Sequence, residues 1–485
     1  MEFNAVIFCG KGSCLSPFSS VKDTGTSKAL LPVANRPMIE YVLEWCDQAP
    51  FKTVTVLCGT DASAEIGQVI EAYKKKRGDE LNNTSTLSCL SSGGATTGSV
   101  LHEIMKTQKF LYKQNLLILP CDFITDVPPQ VFIEIYRENS DENMGLAIAY
   151  KNLFENIDSK VLKRNYTVYA KEENGNGVLL DMYSKPFVAM TKVLKIRTQM
   201  LWRYPETKVS MKLLDSFIFF VNSKLFDIVE AKGEQFIINR SANKIKRDIA
   251  RRSWSHSTKQ ETVGLFILPE GSFFLRCNNL AVYMEANRYF LKQHARNANV
   301  AGTNTAAQKP KGSGKSSANV GADCIVAENT ELGTRTNVKR SVIGSNCKIG
   351  KNCRISACVI LGCAEIGDDV HLENCIIGQK AKLESRCKLV NCNVEGCYIV
   401  GKGVSLKGET LTNISLDEFE NGENEIDAIG SDGGEDADDD DDDEALYSES
   451  AGLGKDDDEG EDGEEEEEES LSDSGSFNSE FVFAD

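Results

Sequence analysis

The sequence predicts an α/β domain with a doubly wound sheet, followed by a parallel β-helix and a disordered acidic tail. Three observations predict this order. Apolar strands alternate with amphipathic helices over residues 1–300, aliphatic residues recur every six positions over 320–410, and acidic residues dominate 431–485. A chain of 485 residues also exceeds what one hydrophobic core usually carries, so we expect more than one domain.

The α/β segment begins with a short apolar strand that runs directly into a glycine loop. Val6–Phe8 precedes Gly10 and Gly12, and a later strand, Leu116–Leu119, ends just before Asp122. Helical patterns separate the strands, which favours parallel pairing in a doubly wound sheet. Because ligands of such sheets lie at the carboxyl ends of the strands, we expect the glycine loop and Asp122 to meet there.

Further elements of this segment follow the same alternation. Pro37 opens a helix that continues through Cys46, and Thr53–Leu57 is a second apolar strand. The next helix covers Ile66–Tyr73 and ends in the four basic residues of 74–77. This pattern supports an α/β class for residues 1–300.

A flexible stretch and a regular repeat follow the α/β segment. Residues 301–319 are small, polar and basic without periodicity, which predicts a linker or an insertion. In 320–410, the aliphatic residues follow one another at steps of five, six and six positions. The pattern therefore repeats every 17 residues, as Val338, Ile355 and Leu372 show. Each hexapeptide is expected to form one side of a triangular coil, with its aliphatic residue pointing inward.

Cysteines and glycines are frequent in the repeat. Nine of the sixteen cysteines lie between Cys324 and Cys397 without paired C-x-x-C spacing, so we expect reduced, packed thiols and no metal site. Several glycines closely follow the inward residues, where we expect the chain to turn corners. These glycines are Gly344, Gly350, Gly362, Gly367 and Gly378.

The net charge of −19 is concentrated in the tail. Residues 431–485 hold 26 acidic residues and one lysine, a charge of −25, whereas residues 1–430 hold 53 basic and 47 acidic residues, a charge of +6. Such acidic runs have nothing apolar to bury, so residues 411–485 are predicted to be a disordered tail that either solubilises the chain or binds a basic partner. Without a signal peptide or an apolar run long enough to cross a bilayer, we expect a cytosolic protein with no membrane contact.

Two motifs near the N-terminus resemble those of sugar-phosphate nucleotidyltransferases. CGKGSCLSP at 9–17 and SKALLPVANRPMI at 27–39 correspond to the family patterns G-G-x-G-[ST]-R-L-x-P and P-K-x-x-x-P-V. In that family, glycines let backbone N–H groups approach a triphosphate and basic side chains offset its charge. The resemblance also implies that an aspartate after a later strand holds a divalent cation, a position that Asp122 takes here.

The sequence departs from the family where catalysis requires its residues. Cys9 replaces the first glycine, Cys14 the arginine, Ser27 a proline, Cys121 a glycine and Ser184 the glutamate of the Glu-Lys-Pro sugar-site motif. Since phosphoryl transfer depends on charge neutralisation and positioning, we expect no catalytic residues, no metal and no cofactor. The resemblance leaves a vestigial nucleotide pocket made of Gly10, Gly12, Lys28, Asp122 and Lys185.

A second resemblance covers roughly residues 1–410 and points to one family. The stretches that carry it are RCNNL at 276–280, YMEANR at 283–288, VKRSVIG at 338–344, CKIGKN at 347–352 and LENCIIG at 372–378. They resemble the gamma subunits of eukaryotic translation initiation factor 2B, which combine a nucleotidyltransferase-like domain with a left-handed β-helix. In that factor, gamma pairs with epsilon, and the complex exchanges GDP for GTP on the GTPase initiation factor 2.

The resemblance implies a noncatalytic subunit of a hetero-oligomer, since the exchange activity of the family lies in a helical-repeat domain of epsilon. We expect as partners the epsilon and regulatory subunits and the GTPase itself, without direct contact with nucleic acid. An active sugar-phosphate nucleotidyltransferase is the alternative, which Cys9, Cys14 and Cys121 disfavour. A hexapeptide-repeat acyltransferase is less compatible, because His371 precedes an inward residue and should face outward.

Overall fold

A computed structural model of the chain describes most of the sequence before the acidic tail. The predicted linker at 301–319 and the predicted tail at 411–485 lie outside the described residues, apart from 318–319 and 411–413. The described ranges are 3–19, 24–80, 86–94, 96–107, 114–138, 143–154, 157, 161–162, 164–171, 177–232, 236–238, 240–255, 262–300 and 318–413.

Ten strands of the α/β part form one mixed sheet, in the order β11-β9-β10-β13-β8-β12-β6-β1-β4-β5. Two short antiparallel pairs, β2 with β3 and β7 with β14, stand beside it. The strands are β1 Phe3–Cys9, β2 Pro32–Val33, β3 Arg36–Pro37, β4 Thr53–Gly59, β5 Thr86–Ser92, β6 Asn115–Pro120, β7 Phe123–Thr125, β8 Asn143–Lys151, β9 Asn165–Lys171, β10 Gly177–Ser184, β11 Lys208–Ser210, β12 Leu213–Val221, β13 Thr262–Ile267 and β14 Phe274–Arg276.

Helices cover the sheet and enclose apolar clusters between themselves and its strands. The predicted helices at 37–46 and 66–73 correspond to α1 and α2, and α2 continues through the basic run. The helices are α1 Met38–Asp47, α2 Ser63–Glu80, α3 Thr97–Thr107, α4 Pro129–Glu138, α5 Lys185–Thr191, α6 Thr198–Arg203, α7 Lys224–Lys232, α8 Ala242–Ser255 and α9 Leu280–Val300.

The pairing of the sheet agrees with the α/β class, but only part of the sheet is parallel. Strands β1, β4, β5 and β6 pair in parallel, as the alternation of strands and helices predicts. Beyond β6, however, β12 runs antiparallel to both β6 and β8, and β9, β10 and β11 form an antiparallel flank. The sheet is therefore mixed, because the second half of the domain uses direct antiparallel connections as well as helical crossovers.

Residues 318–413 form a parallel β-helix in which each coil contributes one short strand to each of three sheets. Val338, Ile355 and Leu372 stack in register on successive coils and are buried, as the hexapeptide spacing predicts. The strands are β15 Asn319–Val320, β16 Ile325–Val326, β17 Glu331–Leu332, β18 Asn337–Lys339, β19 Val342–Ile343, β20 Lys348–Ile349, β21 Arg354–Ser356, β22 Val359–Ile360, β23 Glu365–Ile366, β24 His371–Glu373, β25 Ile376–Ile377, β26 Lys382–Leu383, β27 Lys388–Val390, β28 Asn393–Val394, β29 Ile399–Val400, β30 Ser405–Lys407 and β31 Thr410–Leu411.

The corners of the coils are made mostly by residues other than glycine. Left-handed backbone angles occur at Asn329, Asn346 and Cys363, which take the same corner position on three successive coils. The five glycines predicted at corners lie at these turns, but none of them has a left-handed backbone. At four of them, all except Gly362, glycine is needed because neighbouring coils approach closely: a Cβ on Gly344 would stand 2.6 Å from the backbone nitrogen of Gly362 on the next coil.

All sixteen cysteines are free thiols, as the sequence predicts. Seven of the nine in the β-helix are buried, and Cys358, for example, donates its thiol hydrogen to the carbonyl of Ser356 at 3.1 Å. Cys363 and Cys397 are exceptions, since both occupy exposed corner positions with left-handed backbone. No cluster of three or more potential metal-ligating side chains occurs in the part of the chain that the structure describes.

One sheet of the β-helix packs against the α/β part of the chain. Val342, Val359 and Ile376 precede inward residues and therefore point away from the coil, yet all three are buried. Val359 and Ile376, with Leu361, belong to the same apolar cluster as the core of the first domain. The outward residues of the sheet β17-β20-β23-β26-β29 are instead exposed, and four of the five are Glu or Lys.

Hydrogen bonds from the β2–β3 hairpin and α9 complete this junction. The hairpin turn at Ala34 and Asn35 has positive φ at both residues, and the Asn35 side-chain amide donates to the carbonyl of Ile343 at 2.8 Å. From α9, Arg288 donates to the Asn374 side chain of the β-helix at 2.6 Å. Two stretches that resemble known families, PVANRP and YMEANR, thus meet at the domain junction.

Among the residues that the structure describes, no helix is both long and apolar enough to span a membrane.

Candidate nucleotide pocket

The predicted meeting of the glycine loop with Asp122 is present in the sheet. Strands β1 and β6 are parallel neighbours, with Phe8 opposite Pro120. The amide of Cys121 then donates to the carbonyl of Phe8 at 3.2 Å. The loop after β1 and the loop after β6 therefore leave the same end of the sheet side by side.

Gly12 and Lys28 are in direct contact within this pocket. Gly12 has a left-handed φ of 76°, and a Cβ at that position would stand 2.8 Å from the Cβ of Lys28. Lys28 begins a short 3-10 turn, and its side chain extends from Gly12 toward Asp122. The side chain of Lys28 thus covers the glycine whose backbone, in an active relative, is expected to approach phosphate.

Two cations bind the Asp122 carboxylate inside the protein. Lys28 Nζ lies 2.7 Å from Oδ2, and Arg276 Nε donates to Oδ1 at 3.2 Å. Arg276 is held in place because β14 pairs with β7 and the amide of Cys277 donates to the Asp122 carbonyl at 2.8 Å. All three charged side chains are buried, which defines a closed ion-pair cluster.

Electrostatics keep Asp122 and Lys28 charged beside the Arg276 guanidinium. Burial by itself would raise the pKa of Asp122, but the charges of Arg276 and Lys28 outweigh burial and hold it at about 2. Burial likewise tends to lower the pKa of Lys28, and the Asp122 charge overcomes this and raises it. The cluster therefore carries one negative and two positive charges over the physiological pH range.

The cluster does not fit the divalent cation that the fold family implies. Magnesium is held by carboxylate oxygens, water and substrate phosphates in nearly octahedral geometry. Here each oxygen of Asp122 faces a protein cation, and the residue is 1% exposed. Lys28 and Arg276 occupy the positions around the carboxylate where a metal and its water would stand, and they would repel a further cation.

A second buried ion pair lies beside the first. Lys246 Nζ donates to both oxygens of Asp215, at 2.7 and 2.8 Å, and Lys246 is fully buried. The ring of Phe217 lies between the two clusters, with Arg276 Cζ 5.2 Å and Lys246 Nζ 6.0 Å from its centroid. Phe217 has a φ of 63° and stands where the pairing of β12 with β8 is interrupted, so a local bulge directs this ring.

The remaining residues of the predicted pocket lie outside the ion-pair cluster. Gly10 is exposed, and no atom stands within 4 Å of the place where its Cβ would be. Lys185 is also exposed and begins α5, where the Ser184 hydroxyl caps the helix by accepting from the amide of Phe187 at 3.3 Å. The Ser-Lys-Pro motif is therefore the start of a helix in this chain.

The cysteines that replace family residues differ in their surroundings. The thiols of Cys9 and Cys121 hydrogen-bond to each other, which raises the pKa of Cys9 and lowers that of Cys121. Cys14, at the position of the family's arginine, is exposed on the loop. The pocket thus has no cation at that position, and its positive charges come from Lys28 and Arg276.

Sequence reasoning did not identify the partners that close the cluster. Arg276 lies far from Asp122 along the chain, and the sequence marks it only as part of a family-like stretch. No local motif links Asp215 with Lys246 either. One feature of the sequence does point to the second pair: Lys246 lies among the buried positions of the amphipathic helix α8. Because buried lysines are almost always paired, this position indicates an acidic partner.

Comparison with known proteins agrees with this architecture. Residues 4–154 match the nucleotidyl transferase family model, and residues 307–411 match the model described as the EIF2B subunit epsilon LbH domain. A nucleotidyltransferase domain followed by a parallel β-helix is thus the class of protein that the fold defines.

Three relatives place the chain within that class. The eIF2B subunit gamma of Schizosaccharomyces pombe is 26% identical over 364 residues, which are 70% of this chain and 74% of the relative. The gamma subunit of Dictyostelium discoideum is 22% identical over 388 residues, or 67% and 84% of the two chains. The epsilon subunit of Dictyostelium discoideum is 20% identical over 193 residues, which cover 39% of this chain and 26% of that protein. The chain is therefore similar to the gamma and epsilon subunits of eIF2B, in which a nucleotidyltransferase domain is combined with a β-helix.

Proposed function

We propose that this chain is a noncatalytic, gamma-type subunit of the guanine-nucleotide exchange factor for translation initiation factor 2. It pairs with an epsilon-type subunit, contacts the regulatory subunits and supports GDP/GTP exchange on the GTPase in the cytosol. The two gamma relatives support this role, because they align with 70% and 67% of the chain, across both folded parts.

The absence of nucleotidyl transfer in this proposal rests on one observation, the buried triad of Lys28, Asp122 and Arg276. A nucleotidyltransferase needs an accessible carboxylate for its metal and free cations for the triphosphate. In this chain the carboxylate and the cations neutralise one another in the core. The same residues therefore stabilise the fold and are not available to a substrate.

The structure of the junction suits a scaffold subunit. The β2–β3 hairpin, α9 and the β-helix are joined by buried apolar residues and by hydrogen bonds from Asn35 and Arg288. Family-like residues near the nucleotide loop thus act in joining two domains. A fixed arrangement of domains presents a constant surface to other subunits.

The proposal is tested by two assays on the same full-length protein. The chain is co-expressed with epsilon-type and regulatory subunits, and GDP release from initiation factor 2 is measured with and without it. The lone chain is then tested for pyrophosphorolysis of sugar nucleotides. We expect copurification with epsilon, faster GDP release when the chain is present, and no pyrophosphorolysis.

Two results would contradict the proposal. Failure to copurify with epsilon, together with an unchanged rate of GDP release, would exclude the subunit role. Robust pyrophosphorolysis by the lone chain would instead identify it as an active nucleotidyltransferase, the alternative that the sequence motifs leave open.

A further inference from the structure

Exposed apolar side chains are concentrated in one short part of the first domain, residues 185–212. Of the eleven large hydrophobic residues that are exposed among the described positions, six lie in this segment. We call their surface the α5–β11 surface, and it consists of Met190, Val193, Ile196, Leu201, Trp202 and Val209. Trp202 is 79% exposed, whereas the other two tryptophans, Trp45 and Trp254, are 4% and 6% exposed.

The elements that carry these exposed side chains are packed against the rest of the first domain. Met200 and Tyr204 of α6 are buried in a small separate apolar cluster with Trp254, and partly buried Val188 and Leu194 pack against it. Hydrogen bonds add to this anchoring. Arg203 donates to the Ser253 carbonyl at 2.7 Å, and the Tyr183 hydroxyl donates to the Lys195 carbonyl at 2.7 Å. A partner would therefore meet a preorganised surface, which reduces the entropy lost on binding.

The same segment of the chain ends in an open edge of the large sheet. Strand β11 pairs with β9 on one side and ends the ten-stranded sheet on the other, with no further strand among the described residues. Val209, in the middle of β11, is exposed. An edge strand offers backbone N–H and C=O groups to an added strand, and side-chain sites beside it give such binding its specificity.

Charge selects the kind of strand that this edge can accept. Residues 185–212 contain seven basic residues and one acidic residue, Glu206. A symmetric contact between two copies through this surface would bring like charges together, which is unfavourable. A partner segment with acidic side chains would be attracted to it instead.

We propose that the α5–β11 surface binds an extended acidic segment of a partner protein. The segment adds to β11 as a strand, its apolar residues cover Trp202 and its neighbours, and its carboxylates face basic side chains such as Lys208 and Lys212. A single-stranded nucleic acid fits less well, because it needs several aromatic side chains for stacking, whereas five of the six apolar residues here are aliphatic. The proposal is independent of the role in nucleotide exchange.

Trp202 provides a direct assay because it is the one exposed tryptophan of the three. The probe is the random copolymer poly(Glu,Tyr), with poly-Glu and an oligouridylate as comparison ligands. Acrylamide quenching of the full-length chain is measured with excitation at the red edge of the absorption band, which excites tryptophan selectively. We expect poly(Glu,Tyr) to protect Trp202 from acrylamide, poly-Glu to bind more weakly and oligouridylate to give no protection.

Paired variants localise the binding site. Fluorescein-labelled poly(Glu,Tyr) is titrated with each full-length variant, and anisotropy gives the Kd. We expect Leu201→Ser with Trp202→Ser, and separately Lys208→Glu with Lys212→Glu, to weaken binding about tenfold or more. The matched controls, Leu153→Ser with Val161→Ser and Lys348→Glu with Lys388→Glu, change exposed residues elsewhere and should alter Kd less than about twofold.

The outcomes separate the proposal from its alternatives. Because all the substituted side chains are exposed, thermal unfolding should be nearly unchanged, and this is checked for every variant. Equal Kd values for the surface variants and the controls would refute the proposal. If oligouridylate bound more tightly than poly(Glu,Tyr), and the same surface variants lost this binding, the surface would be a nucleic-acid site. If the chain associated with itself in a concentration-dependent way, and Leu201→Ser with Trp202→Ser abolished this, the partner would be a second copy of the chain.

Discussion

Replacing Asp122 by asparagine removes the negative charge that pairs with two buried cations. Lys28 and Arg276 would then lose this counter-ion and face a neutral amide, at positions 2.7 and 3.2 Å from the present carboxylate oxygens. In an active nucleotidyltransferase, this aspartate serves the metal and not the fold, so the same substitution would leave stability unchanged or improve it. The sign of the stability change therefore distinguishes a structural triad from a working metal site.

The size of the change follows from two independent arguments. The pKa of Asp122, about 2, lies roughly 2 units below its ordinary value, which corresponds to a net stabilisation of about 2.5 kcal/mol after the cost of burial. Removing one member of a buried ion pair typically costs about 3–5 kcal/mol, because the remaining charges stay buried. We expect Asp122→Asn to lower the free energy of unfolding by about 3–5 kcal/mol at pH 7.

The pH dependence has a definite sign. A carboxyl group whose pKa is depressed in the folded state contributes its full stabilisation above the unfolded-state pKa, near 3.9, and loses it as the pH falls toward 2. At pH 7 the contribution is complete, so the substitution should show its largest effect there. The difference between wild type and Asp122→Asn should narrow only below about pH 4.

Guanidinium unfolding followed by tryptophan fluorescence measures this change. Trp45 is a suitable reporter because it is buried and its ring lies 5.2 Å from Phe123, the residue after Asp122. Glu270→Gln is the control, since it breaks an exposed ion pair with Lys151 and should give no measurable change.

A neutral variant completes the test. The combination Lys28→Met, Asp122→Asn and Arg276→Met removes all three charges and should recover much of the stability lost in Asp122→Asn alone. An unchanged or higher unfolding midpoint for Asp122→Asn at pH 7 would refute the structural role of the triad.

Three further predictions concern the glycine loop, the domain junction and the thiols. Gly12→Ala should destabilise the chain by about 1–2 kcal/mol in guanidinium unfolding, because φ is 76° and the Lys28 side chain occupies the space that a Cβ would need. Gly10→Ala should be neutral, since its Cβ would meet open space. Equal effects of the two substitutions would contradict this packing. Val359→Asp should lower the unfolding midpoint and make the junction sensitive to limited proteolysis, because it buries a charge between the domains. The control Ile399→Asp, on an exposed side of the β-helix, should have neither effect. Similar digestion patterns for the two variants would contradict the packing of Val359 against the first domain. Brief alkylation of the native protein, measured by mass spectrometry, should first modify the exposed cysteines Cys14, Cys363 and Cys397. Early labelling of the buried thiols of the β-helix would argue against their packing.

The β-helix was the most predictable part of the molecule. Its regular period places each inward residue on the same inward position of the next coil, so local spacing determines tertiary neighbours. The buried outward residues Val342, Val359 and Ile376 were harder to interpret, since they sit beside inward residues and do not change the period. Only contact with the first domain explains why this sheet is apolar on both faces.

The candidate pocket was predictable in part. Gly12 and Asp122 could be placed together because β1 and β6 are parallel neighbours and their carboxyl ends meet. The contact between Lys28 and Asp122 follows from the family resemblance and not from spacing. Arg276 could not be foreseen, because no short-range rule connects it with a carboxylate so much earlier in the chain.

The sequence by itself determined the order of domains, the inward face of the β-helix, the free thiols and the glycine loop beside Asp122. These features depend on local periodicity, composition and strand direction, which are written into short stretches of chain. The tertiary structure decided how the loop is used. By bringing β14 against β7, it places Arg276 opposite Asp122, and these two residues form a buried ion-pair cluster with Lys28 where the family resemblance implied a nucleotide pocket. The tertiary structure also places the PVANRP and YMEANR stretches at the domain junction, where Asn35 and Arg288 bond to the β-helix. These contacts depend on long-range packing, which local sequence patterns do not show.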